Sequence, residues 1–211
     1  MKKNYLTKAQ RLQFVIPENL KSILIGLLLG DLFIEKQERR ANVRLRFEQS
    51  TVHEDYLFHL YDLFQSFCTQ APKMYTRLPD KRTGNIYSRI LFYTYSLPCF
   101  NELHELFYQG KKKVVPSNIA DLLTPLSLAY FICDDGCFCK TNRVIYISTN
   151  SFSLEEVNRL IDVLKTKYNL ECSINKQGLA FRIRISSKSI PVLQSLLKDI
   201  MPPMMLHKIG L

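Results

Sequence analysis

Apolar residues along this chain fall into two kinds of run. Two short segments are apolar almost all round: Ser22–Asp31, SILIGLLLGD, and Ser127–Gly136, SLAYFICDDG. Each reads as a buried helix that runs straight into carboxylates, and a desolvated charge needs a partner or a metal. Other segments alternate. In Val43–Gln49, Val43, Leu45 and Phe47 share one face, while Arg44, Arg46 and Glu48 share the other. In Phe181–Ile185, Phe181, Ile183 and Ile185 oppose Arg182 and Arg184. This period-two pattern predicts half-buried strands whose second face is basic.

Between these landmarks the elements repeat. Residues 1–16 read as an irregular basic arm, and Pro17 followed by Glu18 as the first turn of a helix to about Gly30. Leu32–Glu35 reads as a short strand and Gln37–Asn42 as a charged turn. Thr51 and Glu54 suggest a capping box for a helix over 53–67, where Tyr56, Leu57, Leu60, Leu63, Phe64 and Phe67 recur at helical spacing. Residues 72–79 and 85–96 predict a hairpin around Asp80–Gly84. Its outer positions include Arg77, Lys81, Arg82 and Arg89 among tyrosines. A helix over about 100–108 follows. The second half repeats this order: strands Gly136–Cys139 and Val144–Thr149 around a turn with Lys140 and Arg143, a helix capped by Ser153 and Glu156, a hairpin over Gln177-Gly178, and a last helix over about 189–200. The prediction is an α+β protein of two similar αββαββα units, residues 1–110 and 111–211, with a linker over about 109–124. Asp31 and Asp135 lie 104 residues apart, a duplication that implies pseudo-two-fold symmetry.

Charge narrows the partner. Lysine and arginine number 29 against 19 acids in 211 residues, net +10. Both halves contribute, with 15 basic and 11 acidic residues in 1–110 and 14 and 8 in 111–211. That balance points to a polyanion, nucleic acid before an anionic membrane. The longest apolar stretch, Ile23–Gly30, is too short to span a bilayer, and no membrane role is expected. The N-terminus lacks the apolar run of a secretory signal. Cys68, Cys99, Cys133 and Cys172 sit in apolar surroundings and read as reduced thiols. Cys133, Cys137 and Cys139 lack the paired spacing of a zinc site. The histidines read as packing or surface residues.

Aligned on aspartate, Leu24–Leu32 is LIGLLLGDL and Leu128–Gly136 is LAYFICDDG. Both resemble the motif of the LAGLIDADG homing endonucleases, whose single-chain members carry two copies about one hundred residues apart. KKKVVPSNIADLLTPLSLAYFICDDG and the ending MPPMMLHKIG are similar to the intron-encoded monomeric group found mainly in organelle genomes. The resemblance implies that two motif helices pack together at the centre of a β-saddle lying in the major groove of double-stranded DNA. It implies a monomer, located in a mitochondrion or chloroplast, that cuts both strands with short 3′ overhangs and promotes intron mobility. By motif position, Asp31 and Asp135 are the residues that bind divalent cations.

The residues are consistent with that chemistry. Phosphodiester hydrolysis needs an activated water, charge neutralisation and a stabilised leaving oxygen, and carboxylate-held metal ions supply all three. Magnesium, with manganese as a substitute, takes few protein ligands. One carboxylate per half therefore suffices when backbone carbonyls, as at Gly30 and Asp134, assist. Motif register favours Asp135 over Asp134 as the carboxylate ligand. Lys113 and Lys208 fit the family's polar pocket around the attacking water. Arg44, Arg46, Arg182 and Arg184 are the favoured DNA contacts, because each pair shares a strand face opposite a core face. Glu48, Arg77, Lys81, Arg82, Arg89, Lys140 and Arg143 complete the expected interface. Two rival readings use the same surface: a maturase that binds host intron RNA, and a DNA-binding repressor without cleavage. Both aspartates are intact, which favours the nuclease.

Overall fold

A computed structural model describes residues 6–38, 40–79 and 81–211. It is a mixture of helices and antiparallel sheets, the α+β class expected. The chain forms two compact units, and they do not follow chain order. One comprises Met1–Pro17 and Leu32–Glu105, the other Glu18–Asp31 and Leu106–Leu211. This differs from a division at residue 110. The first motif helix belongs with the second unit, because a helix that is apolar on every face must be enclosed.

The first unit opens with helix α1, Lys8–Leu12, where an irregular arm was expected. The cause is a capping box: Thr7 accepts from the Gln10 N–H, and the Gln10 side chain accepts from the Thr7 N–H. Residues 1–5 of the expected arm lie outside the described residues. Strands β1 (Phe33–Glu35) and β2 (Arg44–Ser50) lead to helix α3 (Glu54–Phe64). Thr51 and Glu54 do not cap α3. Instead Thr51–His53 is a 3-10 turn capped by the Ser50 hydroxyl, and a second 3-10 turn, Gln65–Phe67, ends the segment. Strands β3 (Lys73–Thr76) and β4 (Ser88–Tyr93) and helix α4 (Asn101–Phe107) complete the first repeat. Asp80, in the expected turn, lies outside the described residues. The sheet order is β1-β2-β4-β3, all antiparallel. Its inner face buries Leu45, Phe47, Ile90 and Phe92, with Phe47 stacked on Phe92 at 4.5 Å. Its outer face carries Arg44, Arg46 and Glu48.

The second unit contains helix α2, Glu18–Leu29, whose residues Ile23 to Leu29 are all buried. The Gln109–Lys113 run, read as linker, folds as a tight hairpin of β5 (Tyr108–Gln109) and β6 (Lys112–Lys113). Gly110 at φ +64° makes the turn possible. A short helix α5 (Ile119–Leu122) precedes helix α6, Pro125–Asp135, which is capped by Thr124 and has Pro125 at its first position. Strands β7 (Gly136–Cys139) and β8 (Val144–Ser148), helix α7 (Leu154–Tyr168), strands β9 (Cys172–Gln177) and β10 (Ala180–Ile185) and helix α8 (Ile190–Leu197) follow. The expected Ser153–Glu156 capping box forms. The sheet order is β7-β8-β10-β9, the same as in the first unit. Two αββαββα repeats are therefore present. The last expected helix is split: α8 stops at Leu197 and a 3-10 segment, Pro203–Ile209, follows.

Helices α2 and α6 pack backbone to backbone. A Cβ added at Gly26 would fall 2.1 Å from the Ser127 carbonyl oxygen and 3.0 Å from the Phe131 nitrogen. Only glycine permits this approach, because the obstruction is main chain and cannot rotate away. The pairing partner of Gly26 is Ser127, fully buried, and not the motif-aligned Tyr130. Among the described residues, no helix is long and apolar enough to cross a membrane. Gly26→Ala is expected to destabilise the protein by about 1–3 kcal/mol through overpacking, lowering Tm by several degrees in a calorimetric melt. An unchanged Tm would show that the helices separate at no cost.

Candidate active site and nucleic-acid interface

The ends of α2 and α6 lie together within the second unit, and most of the expected catalytic residues meet there. Helix α2 closes with the Gly30 N–H donating to the Gly26 and Leu27 carbonyls, so Asp31 lies just past its last turn. Asp135 is the last residue of α6, whose end is closed by the Gly136 N–H on the Ile132 carbonyl. The two aspartates are thus held differently. Asp135 is fixed by helical backbone. Asp31 is fixed by its neighbour across the helix pair: its N–H donates to Asp134 Oδ2 at 3.0 Å. Asp134 also presses on Gly30, where an added Cβ would lie 2.6 Å from the Asp134 Cβ. Its side chain is therefore aimed at the first motif and braces it.

Lys113 reaches the same place from β6, donating from Nζ to the Gly30 carbonyl at 2.6 Å. That carbonyl, expected to assist a metal ion, is occupied by an ammonium in this structure. Burial pushes the Lys113 pKa down, opposed by Asp134, Asp135 and Asp31 in that order. Lys208, on the 3-10 segment Pro203–Ile209, is close enough to Asp135 to favour its charge. The Asp135 carboxyl is pushed up to about 7, first by burial and then by repulsion from Asp31, against the pull of Lys113 and Lys208.

Two carboxylates that repel each other across a half-buried site suit a divalent cation, which would reverse the repulsion. Among the described residues no group of three or more His, Cys, Asp or Glu gathers into a metal cage. The donor set fits a hard cation that keeps most of its water, and does not fit zinc. All six cysteines are free thiols. Burial raises the pKa of Cys68 and Cys172 to about 12.

The sheet faces carry the arginines. In the first unit, register places Arg44 opposite Glu35, and Arg46 between Phe33 and Tyr93. Arg44 pairs with Glu35 at 2.8 Å and stacks 4.1 Å over the Tyr93 ring. Glu48 takes two arginines, Arg46 at 3.1 Å and Arg89 at 2.9 Å. Glu48 therefore orients basic residues, in addition to any contact of its own. Arg77, Lys81 and Arg82 are exposed around the β3–β4 loop.

In the second unit, Arg182 donates to Asn175 at 2.8 Å and lies 4.8 Å from the Tyr146 ring. Arg184 shares its face, opposite Ser173 and Tyr146. Lys140 and Arg143 are exposed at the β7–β8 turn. The Nε atoms of Arg46, Arg89 and Arg182 are buried without an acceptor, an unmet cost on each face. The sequence reading missed Glu35, which orients Arg44. The pairing depends on cross-strand register, which the sequence does not display.

Comparison with known proteins bears on the family and the fold. Residues 21–193 match the model of the LAGLIDADG DNA endonuclease family. The chain belongs to that family. It is 34% identical over 200 residues to the cytochrome b mRNA maturase bI2 of Debaryomyces hansenii, covering 92% of this chain and 75% of the relative. It is 28% identical over 209 residues to the DNA endonuclease I-ChuI of Chlamydomonas applanata, covering 92% and 96%. Its fold is similar to that of the homing endonuclease I-WcaI bound to its DNA recognition sequence, with TM-score 0.89 and 27% identity over 99% of this chain and 94% of that one. The double-motif architecture expected from the sequence fits this LAGLIDADG family and these relatives.

Two predictions test the local geometry. A carboxyl with a folded-state pKa above its unfolded value stabilises the protein below the unfolded pKa and loses that contribution as pH rises through the folded one. In metal-free protein Asp135→Asn is therefore neutral near pH 3 and stabilising above about pH 7, by on the order of 1 kcal/mol after solvent screening. Paired denaturant titrations at the two pH values check this, and equal effects at both would contradict it. If Asp134 braces Asp31, Asp134→Ala exposes the Asp31 amide to hydrogen exchange about tenfold faster. Asp134→Asn, which retains an acceptor, keeps it protected. NMR exchange rates separate the two outcomes.

Proposed function

We propose that this protein is a monomeric, site-specific DNA endonuclease that cuts both strands of a long target in a divalent-cation-dependent reaction. In this reading magnesium is the working cation, manganese substitutes for it, and the products carry short 3′ overhangs. The setting is an organelle, where cleavage promotes movement of a host intron. The observation that carries this reading is the meeting of Asp31, Asp135 and Lys113 at the ends of two packed helices. A divalent cation bound there supplies an activated water, neutralised phosphate charge and a stabilised leaving oxygen.

The chain's own groups prepare the site. Asp31 and Asp135 are the carboxylates that hold the cation. Asp134 fixes the position of Asp31, and the Asp134 backbone remains a candidate carbonyl donor. The Gly30 carbonyl is a candidate too, once Lys113 releases it. A released Lys113 ammonium, with its lowered pKa, is suited to polarise water or to meet negative charge at the phosphate. Lys208 lies in the field of Asp135 and plays the matching part on its side. Burial and the neighbouring Asp31 charge disfavour the ionised Asp135, and a bound cation would offset that repulsion.

The two arginine-bearing sheet faces read the target. Arg44, Arg46, Arg89, Arg182 and Arg184 are the base or phosphate contacts, with Arg77, Lys81, Arg82, Lys140 and Arg143 at the loop tips. Arg46, Arg89 and Arg182 each hold a buried Nε without an acceptor, which favours exchange of intrachain partners for DNA. Glu48 sets the direction of Arg46 and Arg89 before binding.

The second reading is an RNA maturase. One observation favours it: a relative 34% identical to this chain is named a maturase. The two readings separate on affinity, since a maturase binds its intron RNA more tightly than any duplex DNA.

The deciding experiment digests a randomised duplex library with purified protein and magnesium, then sequences the ends. The expected result is one long, loosely palindromic site of roughly two helical turns, cut on both strands. Asp31→Asn and Asp135→Asn should each lower double-strand cleavage by at least about a thousandfold with little loss of binding. Binding without any cleavage by the unaltered protein would refute the endonuclease, and full cutting by either variant would refute the assigned ligands.

A further inference from the structure

The capping box that starts α7 needs one carboxylate oxygen, and Glu156 has two. Glu156 Oε2 accepts from the Ser153 N–H at 2.6 Å and completes the box. Glu156 Oε1 leaves its own helix and accepts from the Val115 N–H at 2.9 Å. Three residues further along α7, on the same face, Arg159 donates from Nη1 to the Val115 carbonyl at 2.8 Å. Arg159 Nη2 also donates to Glu155 at 3.3 Å, which steadies the guanidinium. One helix face thus satisfies both polar groups of a single residue in another segment. Pro116 biases Val115 towards extended backbone. In that conformation a residue's own N–H and carbonyl point to one side, so a helix lying there can take both.

The arrangement commits a buried carboxylate to one backbone N–H outside its helix. Burial works against the Glu156 charge, but the Ser153 and Val115 N–H donors outweigh it and hold the carboxyl below its ordinary value. What gains from this is the neighbouring strand. Val115 lies two residues past Lys113. Between them the Val114 N–H donates to the Phe107 carbonyl at 2.8 Å, which continues the pairing of Tyr108 with Lys113 in the β5–β6 hairpin. The chain that carries Lys113 is therefore held on one edge by the hairpin and on the other by α7. From it, Lys113 Nζ reaches the Gly30 carbonyl at 2.6 Å. A lysine stem is flexible, so the place of its ammonium depends on a backbone that stays still. Two extended residues span only about 7 Å, too short a lever to absorb a shift at Val115.

We propose that Glu156 and Arg159 are positioning residues for Lys113, fixing from one face of α7 the backbone that delivers its ammonium to the ends of α2 and α6. The inference rests on the endonuclease reading and deepens it. Both residues act through the backbone of Val115. A misplacement of about 1 Å at a reacting group costs up to about a hundredfold in rate, which is the scale on which such a grip matters.

The test first labels the metal-free protein briefly with acetic anhydride and reads each lysine by peptide mass spectrometry. Lys111 and Lys112, both exposed, are the internal references. The same proteins are then assayed in single turnover with magnesium on a duplex selected by the unaltered protein. The variants are Glu156→Ala and Arg159→Met, each alone and combined with Lys113→Met. Ser153→Ala is the control, because it removes the α7 cap and leaves Glu156 on Val115. Arg159 is only half-buried, so Arg159→Met carries the test where Glu156→Ala does not fold.

In Glu156→Ala and Arg159→Met, labelling of Lys113 is expected to rise about fivefold against the references. Cleavage at saturating protein falls about tenfold, with affinity for the duplex unchanged. In the Lys113→Met background the same substitutions change the rate by less than about twofold. Ser153→Ala lowers Tm and leaves labelling and rate as they were. Unaltered labelling of Lys113 in both variants overturns the proposal. So does a rate loss as large in the Lys113→Met background as without it, or a Ser153→Ala protein that cuts as slowly as Glu156→Ala, since either would mean general loosening. If the unaltered protein cuts no duplex, the endonuclease reading falls and this inference with it. If it cuts and both variants cut at its rate, the inference alone falls.

Discussion

The contact between Gly26 and the Ser127 carbonyl is the constraint on which the rest depends. It brings the backbones of α2 and α6 together closely enough to exclude a single methyl group. Because the helices are that close, the residues that end them are neighbours. Asp134 can then reach the Asp31 N–H, Lys113 can reach the Gly30 carbonyl, and Asp31 can raise the pKa of Asp135. A wider spacing would relax each of these at once. The packing that makes the core is thus also what brings the Asp31 and Asp135 charges to repel each other.

Pseudo-symmetry in the sequence conceals an asymmetric site. The two motifs differ at the residue before the aspartate, Gly30 in one and Asp134 in the other. Glycine lets Asp134 approach, and the Asp134 carboxylate then does for Asp31 what helical backbone does for Asp135. The Asp134 carboxylate therefore holds the first motif in place through the Asp31 N–H. The same imbalance runs through the sheets. Strands β1 and β2 contain Glu35 and Glu48, which orient Arg44, Arg46 and Arg89. Strands β7 to β10 contain no acidic residue, and Arg182 is directed by an amide and a ring. Arginines held by carboxylates lose less freedom on meeting a base edge. Those without carboxylates keep a fuller charge for the backbone.

Much of this was legible in the sequence, for physical reasons. Period-two alternation placed Arg44, Arg46, Arg182 and Arg184 outward, since a buried arginine row would be intolerable. Two apolar runs ending in aspartate are the helices whose ends meet at the candidate site, and the repeated order matches both sheets. The errors are equally instructive. TKAQ at Thr7–Gln10 is a capping-box pattern, but its short helix carries no apolar stripe, so periodicity did not reveal it. Thr51 and Glu54 have the right spacing for a box, yet Ser50 lies nearer the turn and takes the role. The lysine-rich run at 111–113 looked like linker because charge suggests solvent. Gly110 turns it into a hairpin that delivers Lys113 to the site. Ser127 as the partner of Gly26, and Glu35 as the partner of Arg44, depend on helix crossing and strand register, which no local pattern encodes.

The bond from Lys113 to Gly30 suggests how the metal-free protein tolerates its own site. Without a cation, the Gly30 carbonyl at the exposed end of α2 needs a donor, and the carboxylates need positive charge nearby. One ammonium serves both needs. Its lowered pKa reflects the cost of that burial. A cation held by Asp31 and Asp135, as proposed, would remove the need for Lys113 at the carbonyl and leave its amine near the two carboxylates. In the proposed reaction the lysine and a divalent cation would compete for one oxygen, the Gly30 carbonyl. The residue that holds the Gly30 carbonyl without a cation would be the one freed for the proposed chemistry once a cation took its place.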